Sequence, residues 1–286
     1  MVENRRYIPD GELTVVEITN RTIQSRFLLR PGTELNAVII GAIARAQRKY
    51  KVAVHGYVFL SNHYHLIVTV RSARQLARFV GYFQSKVAKE VCRLHDWRDK
   101  VWARRYRHIV IVDEHEQLKR FRYLLENGCK EGLVASPLEW PGVHCAKPLA
   151  QAQMTVRGNW LHRTKLWVAK QRGEQVSLGD CVEQETLKLT PMPVWSDMTD
   201  AAYASSVAQL VEQIERATTD RHREGGTEPL GPTEVRRQDP HRQPVQTKRD
   251  PAPFVHASTK AARLAFRAAY NVFVAACTTA TDRLQA

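Results

Sequence analysis

The chain has 286 residues, 43% of them hydrophobic, and 43 Lys and Arg against 29 Asp and Glu give it a formal net charge of +14. That apolar share excludes a disordered chain and supplies one or two packed cores, and the basic excess, spread along the length, points to a polyanionic partner, nucleic acid first. Five scattered cysteines without a CxxC pair argue against a disulfide framework and a zinc ribbon; the opening "MVENRRYIPDG" lacks the apolar core of a signal peptide, and no apolar run nears the ~20 residues that cross a bilayer, so a cytoplasmic protein with no membrane partner is expected.

In chain order, "TVVEITNRT" and "IQSRFLL" between Leu13 and Leu29 predict a strand, a turn and a short extended piece. "ELNAVIIGAIARAQRKY" sets Leu35, Ile39, Ala42, Ile43 and Ala46 at helical spacing with basic residues in the last turn. "KVAVHGYVFLSNHYHLIVTV" reads as two strands joined at Ser61-Asn62. A second helix follows in "SARQLARFVGYFQSKVAKEVCRLH", with Leu76, Phe79, Val80, Phe83, Val87 and Val91 along one face. "VWARRYRHIVIV" is a strand with a basic entry, Asp113 is placed to cap "EHEQLKRFRYLLEN", and Gly128 sits where that helix should end. The order β, α, β, β, α, β, α predicts an α+β fold with a ferredoxin-like antiparallel sheet and packed helices.

After about Trp140 the signals weaken. Residues 1–145 are expected to form the α+β domain, 146–223 a helical extension from "NWLHRTKLWVAKQRG" and "AAYASSVAQLVEQIERATTDRHR", 224–257 a basic Pro/Gly-rich linker that builds no core, and 258–286 a C-terminal helix capped by Ser258. The linker and last helix should assist nucleic-acid capture without entering the chemistry.

Positions two apart on a strand share a face, so His63 and His65 project together and Tyr64 points away. Two imidazoles side by side are half of a metal site. Taken alone, such a pair is more often structural than metal-binding, and a further ligand has to come from elsewhere. The helix after Asp113 offers Tyr123 and Asn127, four apart and on one face, flanked by Glu126 and Lys130.

These residues carry a resemblance. "NHYHLIV" resembles the His-hydrophobic-His motif of the HUH nucleases, and "RYLLENGCKEGLV" resembles the tyrosine helix of their single-tyrosine, IS200-like transposase branch, most of all the REP-associated tyrosine transposases. The similarity runs from about Val15 to Trp140 and takes in "NRT" and "WARRYR". It departs from the family pattern at Tyr64, where Val or Leu is commoner, and at Asn127-Gly128-Cys129, where the family has Asn-Pro-Val.

The resemblance implies a metal-dependent endonuclease and strand transferase acting on single-stranded DNA, with a folded-back palindromic hairpin as substrate. Tyr123 would be the nucleophile, forming a 5′-phosphotyrosine, and His63, His65 and Asn127 would hold Mg²⁺ or Mn²⁺. The active form would be a monomer or a homodimer. Arg104, Arg105, Tyr106 and Arg107 are assigned to the DNA backbone and a stacked base, with a solvated strand end as the equal alternative. Two other classes stay open: a non-catalytic nucleic-acid module on the same sheet, with Tyr57 and Phe59 as its platform, and a zinc hydrolase completing its site with His95, His108 or His144.

Overall fold

The computed structural model describes residues 6–9, 11–245 and 252–285. Four strands make its main sheet: β1 (Thr14–Arg21), β2 (Ala53–Phe59), β3 (His63–Val70) and β4 (Arg107–Ile111). They lie in the order β2-β3-β1-β4, every neighbouring pair antiparallel. With α1 (Thr33–Tyr50) between β1 and β2 and α2 (Ala73–Leu94) between β3 and β4, this is the ferredoxin-like arrangement.

Each helix forms where local chemistry directs it. α1 buries Leu35, Ile39, Ala42, Ile43 and Ala46 and ends at Lys51 in the left-handed conformation, with Arg48 and Lys49 in its last turn. α2 begins at Ser72, whose hydroxyl accepts from the Gln75 N–H at 3.2 Å, and its stripe of Leu76, Phe79, Val80, Phe83, Val87 and Val91 is wholly buried. The Ser61-Asn62 turn is closed by the Leu60 N–H donating to the His63 carbonyl at 2.8 Å.

α3 (Glu114–Lys130) packs on the opposite sheet face from α2. Asp113 caps it, accepting from the Glu116 N–H at 2.9 Å. The helix runs past Gly128, where an end was expected, because Gly128 serves close packing: a Cβ there would meet Val134 at 3.1 Å and Trp140 at 3.2 Å.

The segment expected to be a helical extension contains strands. Beyond α4 (Ala146–Ala150), β5 (Thr155–Leu161) pairs antiparallel with β6 (Val182–Lys188), and only α5 (Arg163–Gln171) of "NWLHRTKLWVAKQRG" is helical. The hairpin exists because it has a docking surface on α1, where Gly158 and Gly41 meet with no room for side chains. Local periodicity cannot show a pairing twenty residues away. α6 (Asp200–Gly225) forms as expected. The stretch read as a linker includes α7 (Pro232–Arg237), with Val235 buried, and a short segment at 255–257 buried beside β4. The final helix, α8 (Lys260–Gln285), begins after Thr259, whose hydroxyl accepts from the Ala262 N–H at 3.1 Å, whereas the Ser258 N–H donates to Asp113 at 2.7 Å. Among the described residues no helix is long and apolar enough to cross a membrane.

Glu90 on α2 ties the outer layer to the core. Its buried carboxylate accepts from Lys86 at 2.9 Å, Arg93 at 2.9 Å and Arg163 of α5 at 2.8 Å. Burial raises its pKa, but the hydrogen bonds from Arg163, Lys86 and Arg93 outweigh that and bring it down from 4.5 to about 2. Since the folded-state value lies below the unfolded one, this stabilisation is complete above about pH 4.5 and is lost as the pH falls toward 2. Glu90→Gln should therefore melt at lower temperature than wild type at pH 7 and lose less further stability between those two pH values, measured by thermal unfolding across the acid range. Gly158→Ala, which would put a Cβ 2.2 Å from the Gly41 nitrogen, should cost the roughly 1–3 kcal/mol typical of overpacking, seen as a lower melting temperature in calorimetry.

Candidate active site

The sheet alternation gives β3 two chemically distinct faces. Tyr64 turns toward α2, where it meets Phe83 ring to ring at 5.6 Å and accepts from the Gln84 amide at 2.6 Å. His63 and His65 turn toward α3, their ring centroids 5.4 Å apart. On that side a cavity of about 680 Å³ is lined by groups from β1, β3, α3 and the segment at 252–256, among them Glu17, His63, His65, Arg120, Tyr123 and His256.

Glu17 lies at the centre. It stands opposite Ile67 on β3 and Ile109 on β4, and 1% of it is exposed. Arg120 clasps it with two hydrogen bonds, Nε to Oε2 at 2.8 Å and Nη2 to Oε1 at 3.0 Å. His65 Nδ1 donates to Oε1 at 2.8 Å, and His256 Nε2 lies 3.0 Å from Oε2. Burial pushes this carboxyl up, yet the close approach of His256, the hydrogen bond from His65 and the charge of Arg120 prevail and hold it well below the usual carboxylate range. Glu17 is thus an anion that only accepts, so Nδ1 of His65 carries a proton and is turned to the carboxylate. His63 repeats the pattern, its Nδ1 lying 2.6 Å from the Asn62 amide oxygen.

Tyr123, three residues after Arg120 on the same face of α3, meets His65 edge to face with ring centroids 5.5 Å apart. Two cations lie over its ring, the Arg120 guanidinium at 4.0 Å and the Lys130 ammonium at 4.6 Å from the centroid. Arg21, Arg104, Arg107 and Lys119 add positive charge to the cavity wall. This arrangement can hold a negatively charged oxygen group against a tyrosine hydroxyl and two imidazoles.

The structure thus brings together His63, His65 and Tyr123, with Arg104 and Arg107 at the wall. It does not bring in Asn127, which is 1% exposed and donates its amide to the Tyr123 carbonyl at 3.2 Å. Four residues of helix turn the side chain about 40° from Tyr123, and here that turn is toward the core side marked by Leu124 and Gly128. Spacing shows a shared face but not on which side of it the core lies. Tyr106 also departs from expectation. It is 8% exposed, with the Arg6 guanidinium 3.9 Å from its ring centroid, so the face assigned to a stacked base is covered. Burial raises its hydroxyl to about 12 against the opposing charges of Arg6 and Arg105. Arg105 and Tyr106 line a neighbouring pocket of about 370 Å³ beside α8.

Tyr57 and Phe59, the alternative platform, are both 1% exposed. His95, His108 and His144 lie outside the cavity, and among the described residues no group of three or more His, Cys, Asp or Glu is placed to hold a metal ion. For a divalent ion, His63 and His65 fit as imidazole donors, each with Nδ1 engaged by a neighbour; Asn127 does not fit where it stands. Glu17, Arg120 and His256 are the residues that sequence reasoning missed as site groups. A single acid inside the apolar run "TVVEIT" is a usable signal for Glu17, whereas nothing near His256 in the chain distinguishes it.

Residues 21–127 match the family described as transposase IS200 like. Among solved structures the chain is similar to a REP-associated tyrosine transposase bound to a REP hairpin, at 21% identity and a TM-score of 0.41 over 51% of this chain and 82% of that one. A second similarity is to a transposase candidate from Deinococcus radiodurans R1, at 15% identity and a TM-score of 0.31 over 44% of this chain and 97% of that one. At these scores neither likeness decides the fold or the function. No curated protein sequence matches the chain. From the position of its side chain, Asn127→Ala should lower the melting temperature in calorimetry, by the ~1 kcal/mol of a lost buried hydrogen bond.

Proposed function

With residues 21–127 as an IS200-like transposase domain, we propose that the chain cleaves and rejoins single-stranded DNA through a covalent 5′-phosphotyrosine on Tyr123. The observation that carries this reading is the meeting of His65 and Tyr123, 58 residues apart in sequence, with ring centroids 5.5 Å apart in one basic cavity.

In the cleavage step the Tyr123 hydroxyl oxygen attacks a backbone phosphorus, the phenol gives up its proton, and the bond from phosphorus to the 3′ oxygen breaks. That oxygen leaves as a 3′-hydroxyl after taking up a proton. Rejoining reverses the roles: a 3′-hydroxyl attacks the phosphotyrosine and the phenol is regenerated. One phosphodiester is exchanged for one phosphate ester of similar energy, so no external energy source is needed. The enzyme's part is to bring charges of the right sign to the reacting phosphate. Arg120 and Lys130 lie over the nucleophile's ring, and Arg104 and Arg107 on the wall are suited to the flanking phosphates. His63 and His65 would hold Mg²⁺ or Mn²⁺ through Nε2, and the ion would act as a Lewis acid on the non-bridging oxygens. The resemblance carried by "NHYHLIV" and "RYLLENGCKEGLV" to the REP-associated transposases extends the proposal to a palindromic hairpin as the DNA.

Incubation with labelled single-stranded DNA containing palindromes should give a covalent adduct that maps to the peptide from Tyr123 to Lys130. Tyr123→Phe should fold and bind DNA as wild type yet form no adduct; an adduct in that variant, or one mapping to Tyr64 or Tyr106, would overturn the assignment. His63→Ala, His65→Ala and treatment of wild type with EDTA should each abolish cleavage, and full activity in EDTA would remove the metal from the reading.

A further inference from the structure

The segment around His256 follows a basic, Pro-rich stretch, yet Val255, His256 and Ala257 are 5, 6 and 8% exposed. Its backbone is fastened to the outer edge of β4: the His256 N–H donates to the Val110 carbonyl at 2.9 Å, and the Val112 N–H donates to the His256 carbonyl at 3.1 Å. Ser258 is fastened to α3 through Asp113, which uses one carboxylate oxygen for the Ser258 N–H and the other for the helix cap. The His256 side chain is therefore aimed by two independent anchors. It reaches Glu17 Oε2 at 3.0 Å, and its Nδ1 lies 4.0 Å from Glu116.

Seen from Glu17, the set of partners closes. Oε1 receives His65 and one arm of Arg120; Oε2 receives the other arm of Arg120 and faces His256. Arg120 and His65 engage both oxygens from the α3 and β3 sides, and His256 closes the remaining side of Oε2; the carboxylate's orientation sets where the His65 ring points and where Arg120 rests over Tyr123. A segment that merely strapped the sheet edge would pack an apolar side chain here at lower cost than an imidazole. We propose that His256 is a positioning residue of the nicking site, which holds Glu17 in place and through it fixes the His65 imidazole for its ligand and Arg120 for Tyr123. The inference rests on the nuclease reading above and extends that site into the last part of the chain, which sequence reasoning left outside the chemistry.

The test uses the full-length protein and the variants His256→Leu, His256→Asn and His256→Gln. Leu and Asn lose the contact with Glu17, and Gln retains a donor of similar reach. Mn²⁺ binding without DNA is followed by electron paramagnetic resonance of the free ion, and the ¹⁵N signals of His65 are recorded in metal-free protein. His256→Leu and His256→Asn should weaken Mn²⁺ binding about tenfold, the lower end of the usual effect of groups behind a ligand, and shift the His65 signals away from the single Nδ1-protonated form. His256→Gln should stay within about threefold of wild type. Wild-type Mn²⁺ affinity and His65 signals in whichever of the Leu and Asn variants folds would overturn the proposal, whatever their melting temperatures. Unfolding of all three would also overturn it, since His256 would then be a folding residue. A wild-type protein that binds no Mn²⁺ and forms no adduct would bring down the nuclease reading itself, an outcome distinct from variants that match an active wild type.

Discussion

A carboxylate taken out of water costs several kcal/mol unless its charge is met, and Glu17 is held between two strands with 1% of its surface exposed. That cost is offset by Arg120 from α3, His65 from β3 and His256 from the segment beside β4. Three parts of the chain distant in sequence thus converge on two oxygen atoms. Removing the charge would leave a half-buried guanidinium without its anion, so the carboxylate and its partners form one unit. The consequence for function is geometric: the tyrosine helix and the histidine strand are tied to the same group.

The rest of the fold supports that tie. Because side chains alternate on β3, one face supplies the histidines and the other supplies rigidity. Tyr64 is stacked on Phe59 at 4.9 Å and packed edge-on to Phe83 and Trp102, each at 5.6 Å, so the strand that carries His63 and His65 is fixed from behind. A site on a central strand and a packed helix is held more closely than one on loops. The larger Tyr64, at a position where the related motif favours Val or Leu, is accommodated by Gln84, which satisfies its buried hydroxyl.

The latter half of the chain braces the same elements. The β5-β6 hairpin is held to α1 by Arg45 and Arg48, which reach Glu185 at 2.8 and 2.7 Å. α6 lies along α3, with Arg122 donating to Gln213 at 2.7 Å and Tyr203 near Phe121. α8 covers the β4 side through Phe266 and Phe273 against Tyr7. Charge along the chain is therefore used in two ways, as ion pairs in the outer layers and as a positive wall around the cavity.

What the sequence determined by itself was whatever depends on neighbours a few residues apart. Helical spacing in α1 and α2, the caps at Ser72 and Asp113, the turn at Ser61-Asn62 and the shared face of His63 and His65 all follow from local geometry, and the order of elements then led to the sheet. Tyr123 was singled out because its motif lies within one helix. The tertiary structure alone decided what depends on contacts between distant segments: that Asn127 turns to the core, that Tyr106 lies beneath Arg6, that 155–161 finds a strand partner at 182–188, and that His256 meets Glu17. A carboxylate and an imidazole some 240 residues apart leave no periodic trace in the chain, since their attraction arises only after the sheet has brought them within 3.0 Å and excluded the water between them.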